Sequence, residues 1–237
     1  MGTTKLDLIT KLLAKAESTT PEEAEALTEH AERLMLKYGI EQARIDERRA
    51  RSGAEHEEIV QERLLFAGVY ARDLRELGAG VALALGTVHP LYGSESASAL
   101  YLIGHASDVR QAQVLTASLQ VQAMVAMRSW WNVERHRYHR ASESDRRRAR
   151  SGFVRGFGAG VAERIRENRR TVVEEAGSGT DLVLASRRDR VDAFVHAIPT
   201  RRARQRRGVD AGPFIRGQSS GRTANTGEHA VEQCPRE

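Results

Sequence analysis

Apolar residues recur at helical spacing from the first turns of the chain. Leu6, Ile9, Leu12 and Leu13 share one face while Lys5, Asp7, Lys11 and Lys15 face away, which predicts an amphipathic helix over residues 4–17. A second start signal follows. Thr20 is placed to cap, Pro21 needs no amide donor at the first helical position, and Glu23 stands three residues after Thr20 as a capping box requires. Ala24, Leu27, Ala31, Leu34 and Met35 form the inward stripe of this second helix, and Gly39 after Tyr38 reads as its left-handed stop. Two such helices joined by a short loop pack antiparallel.

Further along, Glu41–Glu58 is polar and interrupted by Ser52-Gly53, which predicts a short helix passing into a linker. Leu65, Val69, Leu74, Leu77, Val81 and Leu85 give the next helix its period, weakened by Gly78 and Gly80. Thr87–Tyr92 and Ala99–Ile103, separated by Gly93-Ser-Glu-Ser, predict a β-hairpin with Pro90 on an edge strand. Ser107 or Asp108 then opens a long central helix carrying Val109, Ala112, Leu115, Leu119, Ala123, Ala126 and Trp130. Asn132–Asp145 breaks the period and reads as a mobile loop, and Arg146–Arg170 resumes as a helix with Phe153, Phe157, Val161 and Ile165 inward. Asp181–Ala185 is the expected third strand and Asp189–Ala197 a short helix; beyond Pro199 the Arg/Gly/Ser/Thr/Gln composition predicts disorder. The fold class is therefore α+β and predominantly helical: an N-terminal helical hairpin, then about three longer helices packed on a small antiparallel sheet. The expected division is 1–45 helical hairpin module, 46–59 linker, 60–199 α+β core domain and 200–237 basic disordered tail.

The opening pattern Lys11-Leu-Leu-Ala-Lys-Ala-Glu-Ser18, then Pro21-Glu-Glu-Ala-Glu-Ala26, then Leu34-Met-Leu-Lys-Tyr-Gly-Ile40 resembles a bacterial and phage module, domain of unknown function 2786. Residues 60–200 resemble the uncharacterised domain that commonly follows it. The carriers are Leu100-Tyr-Leu-Ile-Gly104, Ser107-Asp108-Val109, Ser118-Leu119 with Gln122, and Phe153 with Gly156-Phe157. The resemblance implies a phage or mobile-element setting and an uncharacterised protein, and it brings no catalytic residues with it.

Charge changes the picture. Residues 1–120 carry 13 basic against 18 acidic side chains, whereas residues 121–237 carry 24 against 14, all of the 24 being arginine. The clusters Arg135, Arg137 and Arg140, then Arg146, Arg147, Arg148 and Arg150, and in the tail Arg201, Arg202 and Arg204, with Trp131 beside the loop as a stacking surface, are the candidate nucleic-acid-binding residues. Guanidinium forks match phosphate oxygens in two-point geometry and stack on bases. The competing reading of the same residues is a solvated face in a chain that uses arginine throughout, with four lysines against thirty-three arginines. A protein partner or self-association through the acidic N-terminal hairpin is the alternative function, and an enzyme assembled from Ser107, Asp108, Ser118 and Gln122 a further one, with the balance leaning against an enzyme.

Other chemistry is thinner. His136 and His139 stand three apart near Glu134, but no third ligand at metal spacing follows and no paired-cysteine motif occurs, so neither metal nor cofactor is expected. Gly152, Gly156, Gly158 and Gly160 lie inside a helical pattern, not after a strand as a dinucleotide loop requires, and read as close packing against the Leu115–Trp130 helix. The single Cys234 and the absence of a basic-then-apolar start predict a cytoplasmic protein, and without a run of about 18 apolar residues no membrane partner is expected.

Overall fold

The computed structural model describes residues 5–16, 21–93, 96–201 and 208–223. Among these residues are seven helices and one three-stranded sheet. In chain order the elements are α1 (Lys5–Ala16), α2 (Pro21–Arg51), β1 (Ile59–Leu65), α3 (Ala71–Leu85), β2 (Val88–Tyr92), β3 (Ala99–His105), α4 (Ala106–Glu134), α5 (Glu143–Ala176), α6 (Thr180–His196) and α7 (Ala211–Thr223). The sheet is contacted by α3, α4 and α6. The predominantly helical α+β class expected from the pattern is the class observed.

The helical hairpin forms as the spacing predicts. Ile9 and Leu13 of α1 are buried with Ala31 and Met35 of α2, and Lys5 at the start of α1 pairs with Glu41 far along α2, as antiparallel packing requires. The Thr20 cap falls outside the described residues. Gly39 does not stop the helix. Ile40, Ala43 and Asp46 continue the buried face past it, and a Cβ on Gly39 would stand 2.9 Å from the Gln111 side chain, so the glycine permits close approach to α4.

All three strands are antiparallel in the order β1-β3-β2, with Gln61 opposite Ile103 and Val88 opposite Gly104. The predicted β2–β3 hairpin is present, with Pro90 on an edge strand. The third strand is β1, not the Asp181–Ala185 segment, which lies in α6. The apolar residues of β1 stand in pairs at its two ends, Ile59-Val60 and Leu64-Leu65, around the exposed polar run Gln61-Glu62-Arg63, so the strand carries no period-two signal, and Leu64-Leu65 merge in the sequence with the helical apolar positions that follow. β3 is buried along nearly its whole length between α4, which crosses it, and its two neighbours. The central core unites Leu77, Val81 and Leu85 of α3, Leu100 and Leu102 of β3, Leu115 and Leu119 of α4, and Phe153, Phe157 and Val161 of α5. α3 ends at Gly86 in the left-handed region, φ 76°, where a side chain would be strained.

Two further expectations are corrected. The segment read as a mobile loop over Asn132–Asp145 is short and ordered: α4 runs to Glu134, a 3-10 turn covers Arg135–Tyr138, and Ser142 caps α5 by accepting from the Asp145 amide at 3.2 Å. The region expected to be a disordered tail contains α7, docked along α5. Its docking explains the glycines. A Cβ on Gly156 would lie 2.0 Å from the Phe214 carbonyl oxygen and one on Gly160 2.2 Å from that of Gln218. Gly217 and Gly221 of α7 stand equally close to the carbonyls of Phe153 and Phe157. The close packing is therefore against α7, and for Gly158 against Leu77 of α3, instead of against α4. Two small residues four apart on each helix let the backbones touch.

Candidate functional site

The arginines of the second half divide by environment. Arg135, Arg137, Arg140, Arg146, Arg147, Arg148 and Arg150 all lie on the elbow where α4 turns into α5. The elbow is fastened from inside: Arg146 donates from Nε to the Tyr138 carbonyl at 3.1 Å and from its second guanidinium nitrogen to His139 O at 2.9 Å. Arg150 pairs with Glu143 at 2.6 Å and lies over the Trp131 ring, 4.9 Å from its centroid. Arg137 pairs with Glu134 at 2.8 Å and Arg148 with Asp145 at 3.6 Å. Between Glu134 and Arg150 there are seven arginines and three carboxylates, a local excess of four positive charges. Arg135, Arg137, Arg140, Arg147 and Arg148 are exposed. Half-buried Trp131 tilts against Tyr138 and is covered on a face by Arg150, while Trp130 stacks on Phe153 in the core. Arg201 is exposed, and Arg202 and Arg204 lie outside the described residues.

Arg187 is different in kind. Although it belongs to a sequence cluster of arginines, it is completely buried. Its Nε donates to Asp108 at 2.8 Å, one terminal nitrogen to Asp46 at 3.1 Å, and the other to Glu57 at 2.6 Å and to the Ser107 hydroxyl at 2.9 Å. One side chain of α6 thus joins α2, the approach to β1 and the first turn of α4. Arg190, one turn on, adds a contact to Asp46 at 3.3 Å. Burial alone would raise the Asp46 and Glu57 carboxyls, but the Glu57 amide and His56 around Asp46, and Arg187 with Ser107 around Glu57, hold both below their ordinary values. Fully enclosed Asp108 is pushed up by burial, which Arg187 offsets only in part. Burial would lower Arg187, but Asp108 and Glu57 hold it up.

This hub corrects the reading of Ser107 and Asp108 as a cap. The N-cap of α4 is His105, in extended conformation; Ser107 gives its amide and hydroxyl to Glu57, at 2.6 and 2.9 Å. A carboxylate fifty residues upstream therefore does the capping that a local side chain was expected to do. Ser118 and Gln122 bond each other at 3.2 Å a few turns along α4, apart from the hub. The four residues of the enzyme alternative do not converge on one cleft.

His105 is completely enclosed beside the hub. Its Nδ1–H donates to the Glu57 carbonyl at 2.8 Å, which fixes the tautomer and leaves Nε2 as a buried acceptor without a partner. Protonation would place an unpaired N–H and a charge near Arg187. Burial first, then Arg187, lowers its pKa from 6.5 to about 4. The unfolded chain therefore takes up a proton at higher pH than the folded one, so this stability is complete above pH 6.5 and is lost as pH falls towards 4. The expected loss is on the order of 3 kcal/mol. Urea midpoints from pH 7 to 4 should show that slope, and His105→Gln should flatten it; an unchanged slope in the variant would assign it to other groups.

His136 and His139 each use Nδ1 on a backbone carbonyl, of Val133 and His136, both at 2.8 Å. Among the described residues no group of three or more His, Cys, Asp or Glu is placed to hold a metal ion, and no helix is long and apolar enough to cross a membrane.

Comparison with known proteins agrees with the hairpin. Residues 5–42 match the model of the family described as protein of unknown function (DUF2786), a stretch that spans α1 and the first two-thirds of α2. The match ends inside α2, before Asp46 and the hub. No curated protein and no solved structure matches the chain.

Proposed function

We propose that this protein is a nucleic-acid-associated accessory protein that holds a phosphate backbone on the α4–α5 elbow. The observation that supports it is the concentration of Arg135, Arg137, Arg140, Arg147 and Arg148 on one exposed, internally braced turn whose charge is offset by three carboxylates. Each guanidinium not consumed by an internal carboxylate can release a condensed counterion on meeting a phosphate. A braced elbow presents these groups without the entropy of ordering a mobile loop. Trp131 contributes by seating Arg150, and stacking of a base on the ring requires Arg150 to swing away.

The hub argues against transferring the same role to every arginine cluster. Arg187 is spent internally and Arg190 largely so. The test is fluorescence anisotropy with single- and double-stranded oligonucleotides across a salt series. Binding should be sequence-tolerant and fall steeply with salt. The combined Arg135→Ala, Arg137→Ala and Arg140→Ala variant should bind about tenfold more weakly and, with Arg137 already paired to Glu134, lose about 1.4 from the slope of log K against log salt for single strands. No binding at about 50 mM salt, or an unchanged slope in the triple variant, would reject the elbow.

A further inference from the structure

Beside the elbow lies a cleft of about 510 Å³ that neither the hairpin module nor the buried hub uses. Its walls come from three places: Gly68–Asp73, where α3 begins; Ser96–Ser98, just before β3; and Arg147 with Ser151, one turn apart on α5. The volume is in the range of a nucleotide-sized ligand. The lining is polar and cation-rich. Arg147 is exposed, and its hydrogen bond to the Val69 carbonyl is long, 3.4 Å, so its remaining N–H groups are directed by nothing described. Arg72 is also exposed in the lining; the Ser96 and Ser98 hydroxyls bond each other at 2.8 Å, and Ser151 supplies a further hydroxyl. Asp73 is the carboxylate in the lining, but it is buried and already engaged within the protein.

From this cleft we infer a binding site for a phosphate monoester, the end of a nucleic-acid strand, with Arg147 as the guanidinium that grips it. A terminal phosphate carries more charge than an internal diester and can enter a concave site that a continuous strand passes over. Arg147 belongs to both cleft and elbow, so the inference deepens the proposed function and rests on it: a strand lying on Arg135, Arg137 and Arg140 has its end beside the cleft.

The experiment compares oligonucleotides of one sequence ending in hydroxyl, 5′-phosphate or 3′-phosphate, with inorganic phosphate and a nucleoside monophosphate as separate probes. The protein should bind one phosphorylated end at least fivefold more tightly than the hydroxyl end. Arg147→Ala should abolish that preference. The triple elbow variant should weaken all three oligonucleotides alike and keep it. Equal binding of all three ends, or a preference that survives Arg147→Ala and Arg147→Glu, overturns the inference while leaving the elbow standing. If no oligonucleotide binds, phosphorylated ends included, the elbow and the strand-end reading both fail, whatever the small probes do. Binding of inorganic phosphate with the nucleoside monophosphate no tighter assigns the site to free phosphate and overturns the strand-end reading.

Discussion

Replacing Gly156 or Gly217 by alanine should detach α7 from α5, at a cost of about 2–4 kcal/mol, larger than most surface substitutions produce. The added methyl carbon would sit 2.0 Å from a main-chain carbonyl oxygen on the facing helix, Phe214 in one case and Phe153 in the other. Neither oxygen is on a flexible side chain that could step aside, so the helices themselves must separate. Separation would also break the bonds that flank the seam: Arg164 to the Gly221 carbonyl at 3.2 Å, Gln218 to Glu163 at 3.0 Å, and Arg222 to Glu163 at 2.5 Å. α7 buries only Pro213, Gly217 and Gly221 fully, so the rest of the core should survive its release. Hydrogen exchange should show protection lost over 211–223 with much smaller changes in β3 and α4, and trypsin should cut at Arg216 earlier than in the parent. Gly212→Ala is the internal control. Apart from its chain neighbours nothing lies within 4 Å of the added carbon, so the change should leave the α5–α7 seam intact and α7 protected as in the parent. Equal protection of α7 in the parent and in Gly156→Ala would disprove the contact.

What the sequence revealed and what it concealed follow from how local each cause is. Hairpin, central helix and the β2–β3 pair were legible because their signals lie within one turn or one strand: a heptad-like stripe, Pro21 after a capping residue, Gly93 between two β-branched or aromatic runs. Gly39 misled because glycine serves two purposes, and only the proximity of Gln111, seventy-two positions away, shows which one operates here. α7 was hidden for the same reason. Its composition is poor in large apolar residues because its partner is a backbone, and a helix that docks through glycines carries almost no hydrophobic signal. The elbow arginines were found as a cluster, yet their bracing by the Tyr138 and His139 carbonyls was not readable, since a break in apolar periodicity looks alike whether the turn is tight or loose. Arg187 was the deepest miss. It stands in a run with Arg188 and Arg190 that reads as a charged face, and its burial depends on Asp46, Glu57 and Asp108 arriving from three other elements. A hint lay in its spacing: Leu184, Arg187 and Val191 fall on one helical face, and the two hydrophobic members are buried with it.

That burial sets the second large effect. Arg187→Met, which keeps the side chain's length and removes its charge, should destabilise the protein by about 3–5 kcal/mol at pH 7, because Asp46, Glu57 and Asp108 would be left facing one another with Arg190 as partial compensation. For a chain of 237 residues that corresponds to a fall in Tm of roughly 10–15 °C. The pH dependence carries the diagnostic sign. With Arg187 present, Asp46 and Glu57 titrate below their ordinary values, so their contribution is complete above those values and is lost as pH falls through the folded ones. Without it, burial dominates at Glu57 and Asp108 and raises both carboxyls, while the Glu57 amide and His56 still hold Asp46, so at those two groups the folded variant takes up protons before the unfolded chain does. The variant should then gain on the parent as pH drops from 7 towards 5, and the gap in urea midpoint should narrow. Removing one carboxylate as well, by Asp108→Asn, should cost the variant less than it costs the parent, a coupling expected of groups in one network. A gap that stays constant with pH, together with additive losses in the double variant, would mean that the guanidinium only fills space. The hub would then not be the tie that joins the continuation of the hairpin helix to the sheet, the central helix and α6.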